Sequence, residues 1–255
     1  MKFKKSAIAI LIISAAALEA ILVWPKAVYV AFGLINLLVV LEIWRLAGFG
    51  RIKRGWLNLI ILPLIFITGT IAYVSLLPES IFLNKILSQC IFAATLYFLY
   101  VYFRQLHVFL REPERPNHLL SFSSGATFLA LFLAVSAIFG LQLFLNLSYW
   151  ILMLIIILIA LGLTYQFLWL NSLQRGENWL FTGVIVFVMA QIFWALYFLP
   201  FDYNVLGLLL VLAYYVLISV LKFYLTDSLH RRQLKPLFIF VAVILFLIFL
   251  TVRWR

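Results

Sequence analysis

The chain has 255 residues, of which 67% are hydrophobic and only 11% charged, with a mean hydropathy of +1.18. Polar surface that scarce cannot cover a water-soluble globule of this length, so lipid must cover it, and a free-standing soluble domain is excluded. A net charge of +11 would suit nucleic acid in a soluble protein; here the Lys and Arg stand in short segments between apolar runs, which points to anionic lipid headgroups and not to nucleic acid.

Runs of roughly twenty apolar residues, the length that crosses a bilayer as a helix, predict spans over 6–24, 27–48, 56–77, 81–103, 119–140, 148–170, 178–198, 203–224 and 236–252. The expected fold is all-α, a polytopic integral membrane helix bundle of about nine transmembrane helices, with 1–255 forming a single integral membrane domain and no soluble domain. Lys2, Lys4 and Lys5 before the first run give it the outline of a secretory signal. Its apolar character continues through Trp24, which predicts an uncleaved anchor; a cleaved signal would leave 8 spans.

Ionisable groups inside spans are costly enough that each is a candidate for function. In the first span Glu19 lies near the outer end, preceded one turn earlier by Ala15 and Ala16. The second span carries Glu42 and Arg45 three apart, a spacing that predicts a local helix pair. Pro63 falls inside the third span, where a neighbouring helix must satisfy the carbonyl it frees. That span also offers Thr68, Ala72 and Ser75 on one face beside Gly69, which predicts a central position.

The fourth span carries Asn84, Lys85, Ser88, Gln89 and Thr95, read at 3.6-residue periodicity as one polar stripe turned away from lipid. Lys85 matches Glu19 in depth, so the two are expected to pair. With Asn84 and Gln89 they form the candidate intramembrane polar site, working either as a register-fixing ion pair or as a cavity for a small solute or proton. Cys90, the only cysteine, lies in the same span and leaves no internal disulfide to form.

The longest connection, 104–118, gathers His107, Arg111, Glu112, Glu114, Arg115 and His118. It reads as a solvated connector touching headgroups, or as an interfacial site acting on a lipid phosphate. The fifth span repeats Ala126, Ala130 and Ala134, then Ala137 and Gly140, a ridge for close helix packing. Asn146-Leu147-Ser148 matches a glycosylation triplet but abuts the membrane. Gln142, Gln166 and Gln191 are uncharged and carry little information. A faint repeat relates Arg54-Gly55-Trp56-Leu57 with Leu77-Pro78-Glu79 to Arg175-Gly176, Trp179-Leu180, Leu199-Pro200 and Asp202; interfacial residue preferences alone also produce it. The ninth span holds one small residue, Ala242, and is expected at the periphery. Aromatics near span ends, Trp24, Trp44, Trp56, Tyr102, Trp150, Trp169 and Trp179, read as interfacial anchors.

Of the 19 Lys and Arg, fifteen fall on one side of this arrangement and four on the other. Positively charged loops stay in the cytoplasm, which predicts a plasma-membrane protein with a cytoplasmic N-terminus and an external C-terminus. The candidate headgroup contacts are Arg51, Lys53, Arg54, Arg104, Arg111, Arg115, Arg231 and Arg232.

No zinc-hydrolase, serine-hydrolase or phosphate-loop motif occurs, and all three histidines lie outside the spans. No catalytic residue, metal or cofactor is expected. The functional expectation is a non-enzymatic accessory or scaffold subunit with a membrane-protein partner. Its alternatives are a transporter or lipid-handling protein using Glu19 and Lys85, and an interfacial lipid-modifying enzyme using the 104–118 loop.

Overall fold

The computed structural model describes residues 2–24, 26–48, 57–77, 82–111, 118–171, 178–225 and 231–251. Among them are nine α-helices and no strand: α1 (Lys2–Val23), α2 (Ala27–Gly48), α3 (Asn58–Ser75), α4 (Phe82–Arg111), α5 (His118–Leu145), α6 (Tyr149–Leu170), α7 (Asn178–Tyr197), α8 (Tyr203–Leu225) and α9 (Arg231–Thr251). In an apolar solvent a helix satisfies every backbone donor and acceptor within its own segment, which is why each apolar run becomes one. Among the described residues, 7 helices, α2 to α8, are long and apolar enough to cross a membrane, and α1 and α9 hold the shorter apolar stretches Ala7–Val23 and Lys235–Ile248.

Three boundaries differ from expectation by five residues or more. Beyond 103, α4 continues to Arg111, because Tyr102, Phe103, Leu106 and Leu110 keep a buried apolar stripe at helical spacing beneath the polar Arg104 and Gln105. Half of the expected 104–118 connection is therefore helix; residues 112–117 lie outside the described residues. The C-terminal end of α5 runs on to Leu145 and stops where Asn146 takes φ 49, donating its N–H to the Gln142 carbonyl at 3.0 Å. Asparagine tolerates that left-handed conformation and so ends helices as glycine does. At its start, α9 begins at Arg231, five residues ahead of the expected 236, and holds Pro236 inside.

Two compact units make up the chain, Met1–Ala134 and Val135–Arg255. The division falls inside α5, whereas a four-helix repeat would divide the chain ahead of it. Arg54, Gly55, Trp56, Pro78, Glu79, Arg175 and Gly176 of that repeat lie outside the described residues.

In the first unit α1 packs on α2 and α4, and α3 packs on both α2 and α4. With 67% of its spanning residues buried, α3 is the most enclosed of the 7 spans, as its central placement required; α5 follows at 56%, and the others lie at 28–39%. Its buried face, however, is Leu59, Leu62, Phe66, Gly69 and Tyr73, while Thr68 and Ala72 are half-buried and Ser75 is exposed. A Cβ on Gly69 would stand 2.8 Å from the backbone nitrogen of Ala134, so only glycine permits this approach of α3 and α5. Pro63 removes the N–H that would have bonded the Leu59 carbonyl four residues back. Tyr102 of α4 replaces it, its hydroxyl donating to Leu59 O at 2.6 Å, with both residues fully buried. Tyr102 is thus an internal strut and not the interfacial anchor its place near a span end suggested; Trp24, Trp44, Trp150 and Trp179 do stand exposed at helix ends. Phe98 stacks on Phe66 at 4.1 Å and on Phe122 at 5.7 Å between ring centroids, joining α4 to α3 and α5.

The second unit is held by the sequential pairs α6 on α7, α7 on α8 and α8 on α9. Gly207 of α8 lies against Ser136 of α5, where a Cβ would stand 3.1 Å from the Ser136 Cα. Phe139 and Phe193 (5.0 Å), Phe193 and Tyr149 (6.0 Å), and Tyr149 and Tyr197 (4.9 Å) form a chain of rings through α5, α6 and α7. As expected, α9 is peripheral: Phe238, Ile239, Phe240, Val243, Phe246, Leu247 and Leu250 are exposed.

Candidate functional site

On α1 the exposed positions Ile8, Ile12, Ala16, Glu19 and Val23 recur at three- and four-residue spacing and form one stripe. Glu19 is thus an acidic group on an otherwise apolar outer face, toward the C-terminal end of the helix. It stands about 6 Å along the axis from the end of α1. A neighbour on α4 meets it: Gln89 Nε2 donates to Glu19 Oε2 at 3.0 Å. The carboxylate accepts this one bond and keeps its other oxygen for a further donor.

The polar residues of α4 do not share one face. Ser88 and Thr95 are buried, Asn84 is half-buried, and Lys85 and Gln89 are exposed. The inward set is satisfied locally, Ser88 Oγ donating to the Asn84 carbonyl at 2.8 Å and Thr95 Oγ1 to the Ile91 carbonyl at 2.8 Å. Thr95 also meets Thr70 of α3 at 3.1 Å. Such side chains close hydrogen bonds on the preceding turn, so their presence in a span reports packing, not a cavity. Lys85 lies one turn ahead of Gln89 and faces outward, and no ion pair joins it to Glu19. At the seam of α1 and α4 the Glu19 carboxylate and the Lys85 ammonium are thus both exposed, Lys85 one turn from the glutamine that bonds Glu19. Cys90, which follows Gln89 in sequence, is also exposed.

Elsewhere, Arg45 Nη2 bonds Glu42 Oε1 at 2.9 Å, the carboxylate 2% exposed and the guanidinium side chain 41%. This is the local pair expected from the spacing. Of the candidate headgroup contacts, Arg104 is exposed on the extended end of α4, and Arg111 terminates that helix. Arg231 and Arg232 open α9. Arg51, Lys53, Arg54 and Arg115 lie outside the described residues, as do Glu112 and Glu114. His107 is half-buried within α4, separated from any loop. Among the described residues no three His, Cys, Asp or Glu side chains gather as a metal site would require.

One residue carries more than its sequence suggested. Gln166 of α6 is 3% exposed, yet neither its amide nitrogen nor its oxygen has a hydrogen-bond partner. An amide in a span is uncharged, so hydropathy patterning passes over it; only the full inventory of donors and acceptors brings it out.

No curated protein and no solved structure matches this chain. Its sequence fits one family model over residues 7–254, close to the full length, and the helices described here account for most of that range. The chain, a multi-pass membrane protein by its apolar helices, belongs to the family described as Protein of unknown function (DUF5656).

Proposed function

We propose that this protein is a non-enzymatic accessory or scaffold subunit of the plasma membrane that works by associating laterally, through the outer face of α1 and α4, with another membrane protein. The observation that carries this reading is Glu19, exposed on an apolar stripe one turn from the end of α1 and held by Gln89. A carboxylate facing hydrocarbon is costly, by about 2.5–3.5 kcal/mol for a charged residue at mid-span and less toward the ends. A protein partner with a donor removes that cost. The interiors support the same reading, since helices meet where added methyl groups would strike backbone, at Gly69 and at Gly207.

A photoreactive side chain at Ala16 tests it in native membranes. Labelling of protein is expected there, against lipid alone from the same probe at Phe187, which is exposed on α7. Lipid-only products at both positions would end the association reading. A lipid-handling role is the second reading, because Lys85 and Glu19 together complement a zwitterionic headgroup. Lipid adducts at Ala16 that vanish in Glu19→Gln would favour it.

The distribution of Lys and Arg, fifteen against four, supports a cytoplasmic N-terminus and an external C-terminus. In a Cys90→Ser background, Arg104→Cys should react with an impermeant thiol reagent only after the cells are opened. Reaction in intact cells would reverse the orientation.

A further inference from the structure

We propose that the partner at this seam is a second copy of the same chain, related by a two-fold axis along the membrane normal, with Glu19 of each copy meeting Lys85 of the other. The proposal rests on the association reading above and names its partner. Its basis is charge self-complementarity. Glu19 and Lys85 are both exposed on the outer face, carry opposite charges, and make no ion pair with each other.

The bond from Gln89 sets position 19 of α1 level with position 89 of α4, and Lys85 lies one helical turn, about 6 Å, nearer the start of α4. A long flexible lysine side chain covers that difference in depth. A two-fold axis along the membrane normal leaves every residue at its own depth while exchanging the two surfaces. It therefore brings the carboxylate of one copy opposite the ammonium of the other, twice. One seam thus supplies both halves of its own complement, and no second kind of protein is needed to neutralise it. The exposed residues beside the charges include Ala16 on α1 and Ala93 on α4, small enough for helix backbones to approach across lipid.

The test uses two differently tagged copies expressed together in the same membranes. Wild-type copies should co-purify. Glu19→Lys expressed with Glu19→Lys places lysines opposite lysines, and Lys85→Glu with Lys85→Glu places carboxylates opposite carboxylates; both combinations should lose co-purification. Glu19→Lys expressed with Lys85→Glu restores both oppositely charged contacts between copies and should recover it. Recovery only when both substitutions are in one chain would mean a pair within the copy, and would overturn the proposal. So would wild-type co-purification that ignores all of these changes, because the interface would then lie elsewhere.

The photoreactive probe at Ala16 in an otherwise wild-type chain needs no charge reversal and stays informative if the reversed variants do not fold. A product of twice the chain mass carrying both tags is expected. A protein adduct of any other mass overturns the self-association and leaves the association reading standing. Lipid adducts alone overturn both.

Discussion

Two of the hydrogen bonds that tie α4 to its neighbours differ in what surrounds them. At the inner one Tyr102 bonds the carbonyl left free by Pro63, with both groups fully enclosed. At the outer one Gln89 bonds Glu19 on an exposed face. The inner bond completes an inventory inside the chain: a donor lost to proline is replaced by a donor from the next helix. The outer bond completes nothing, since Glu19 retains an acceptor and Lys85 retains its donors. A polar group that folding has satisfied says how the chain holds itself together, whereas one that folding leaves outside points to what lies beyond the chain.

The contrast between inside and outside is sharpest for a single substitution made in both places. Ala130→Leu, at a fully buried position of α5, should lower stability by about 3 kcal/mol through overpacking, while Ala242→Leu on the exposed face of α9 should have no measurable effect. Thermal unfolding in detergent reads both, and equal tolerance would break the assignment of interior and surface.

The inner bond is tested next. Tyr102→Phe leaves the Leu59 carbonyl buried without a donor and should cost about 2 kcal/mol. Pro63→Ala restores the backbone N–H, so adding it to Tyr102→Phe should recover part of the loss. Purely additive effects in that cycle would mean the tyrosine does not serve the carbonyl.

Gln166→Leu comes third, with the opposite sign. Replacing an enclosed amide that has no partner by an apolar side chain of similar size should stabilise the protein by about 1 kcal/mol. A loss of stability would reveal that the amide has a partner in solution. The smallest effect belongs to the outer bond: Glu19→Gln should leave the melting temperature of the dispersed chain unchanged while weakening co-purification of tagged copies. A large drop in melting temperature would move Glu19 into the fold's own framework.

The helices were legible because an apolar run long enough to cross a bilayer has few alternatives to being helical. The enclosure of α5 was legible too, from alanines four apart. The inward face of α3 was not: Thr68, Ala72 and Ser75 are small, but Phe66 and Gly69 on the adjoining face make the contacts that bury it. Around Glu19, the sequence picked out the charged residues but neither the helical turn that separates them in depth nor the directions they face. Serine and threonine bond their own helix, so Ser88 and Thr95 lengthened an apparent stripe that Lys85 and Gln89 do not share. Tyr102 was misread because an aromatic near a span end looks the same whether it faces headgroups or a neighbouring carbonyl.

The extension of α4 bears on its fit to the bilayer. Its 30 residues make it about 45 Å long, against about 27 Å for the 18 residues of α3 in the same unit and about 30 Å of hydrocarbon. The excess of α4 has Leu106 and Leu110 buried, Arg104 exposed, Gln105 and His107 half-buried, and one exposed apolar residue, Val108. The polar side of that stretch suits headgroups or water, so the surplus length of α4 need not lie in hydrocarbon, while Tyr102, just inside the extension, ties α4 to α3 at Leu59.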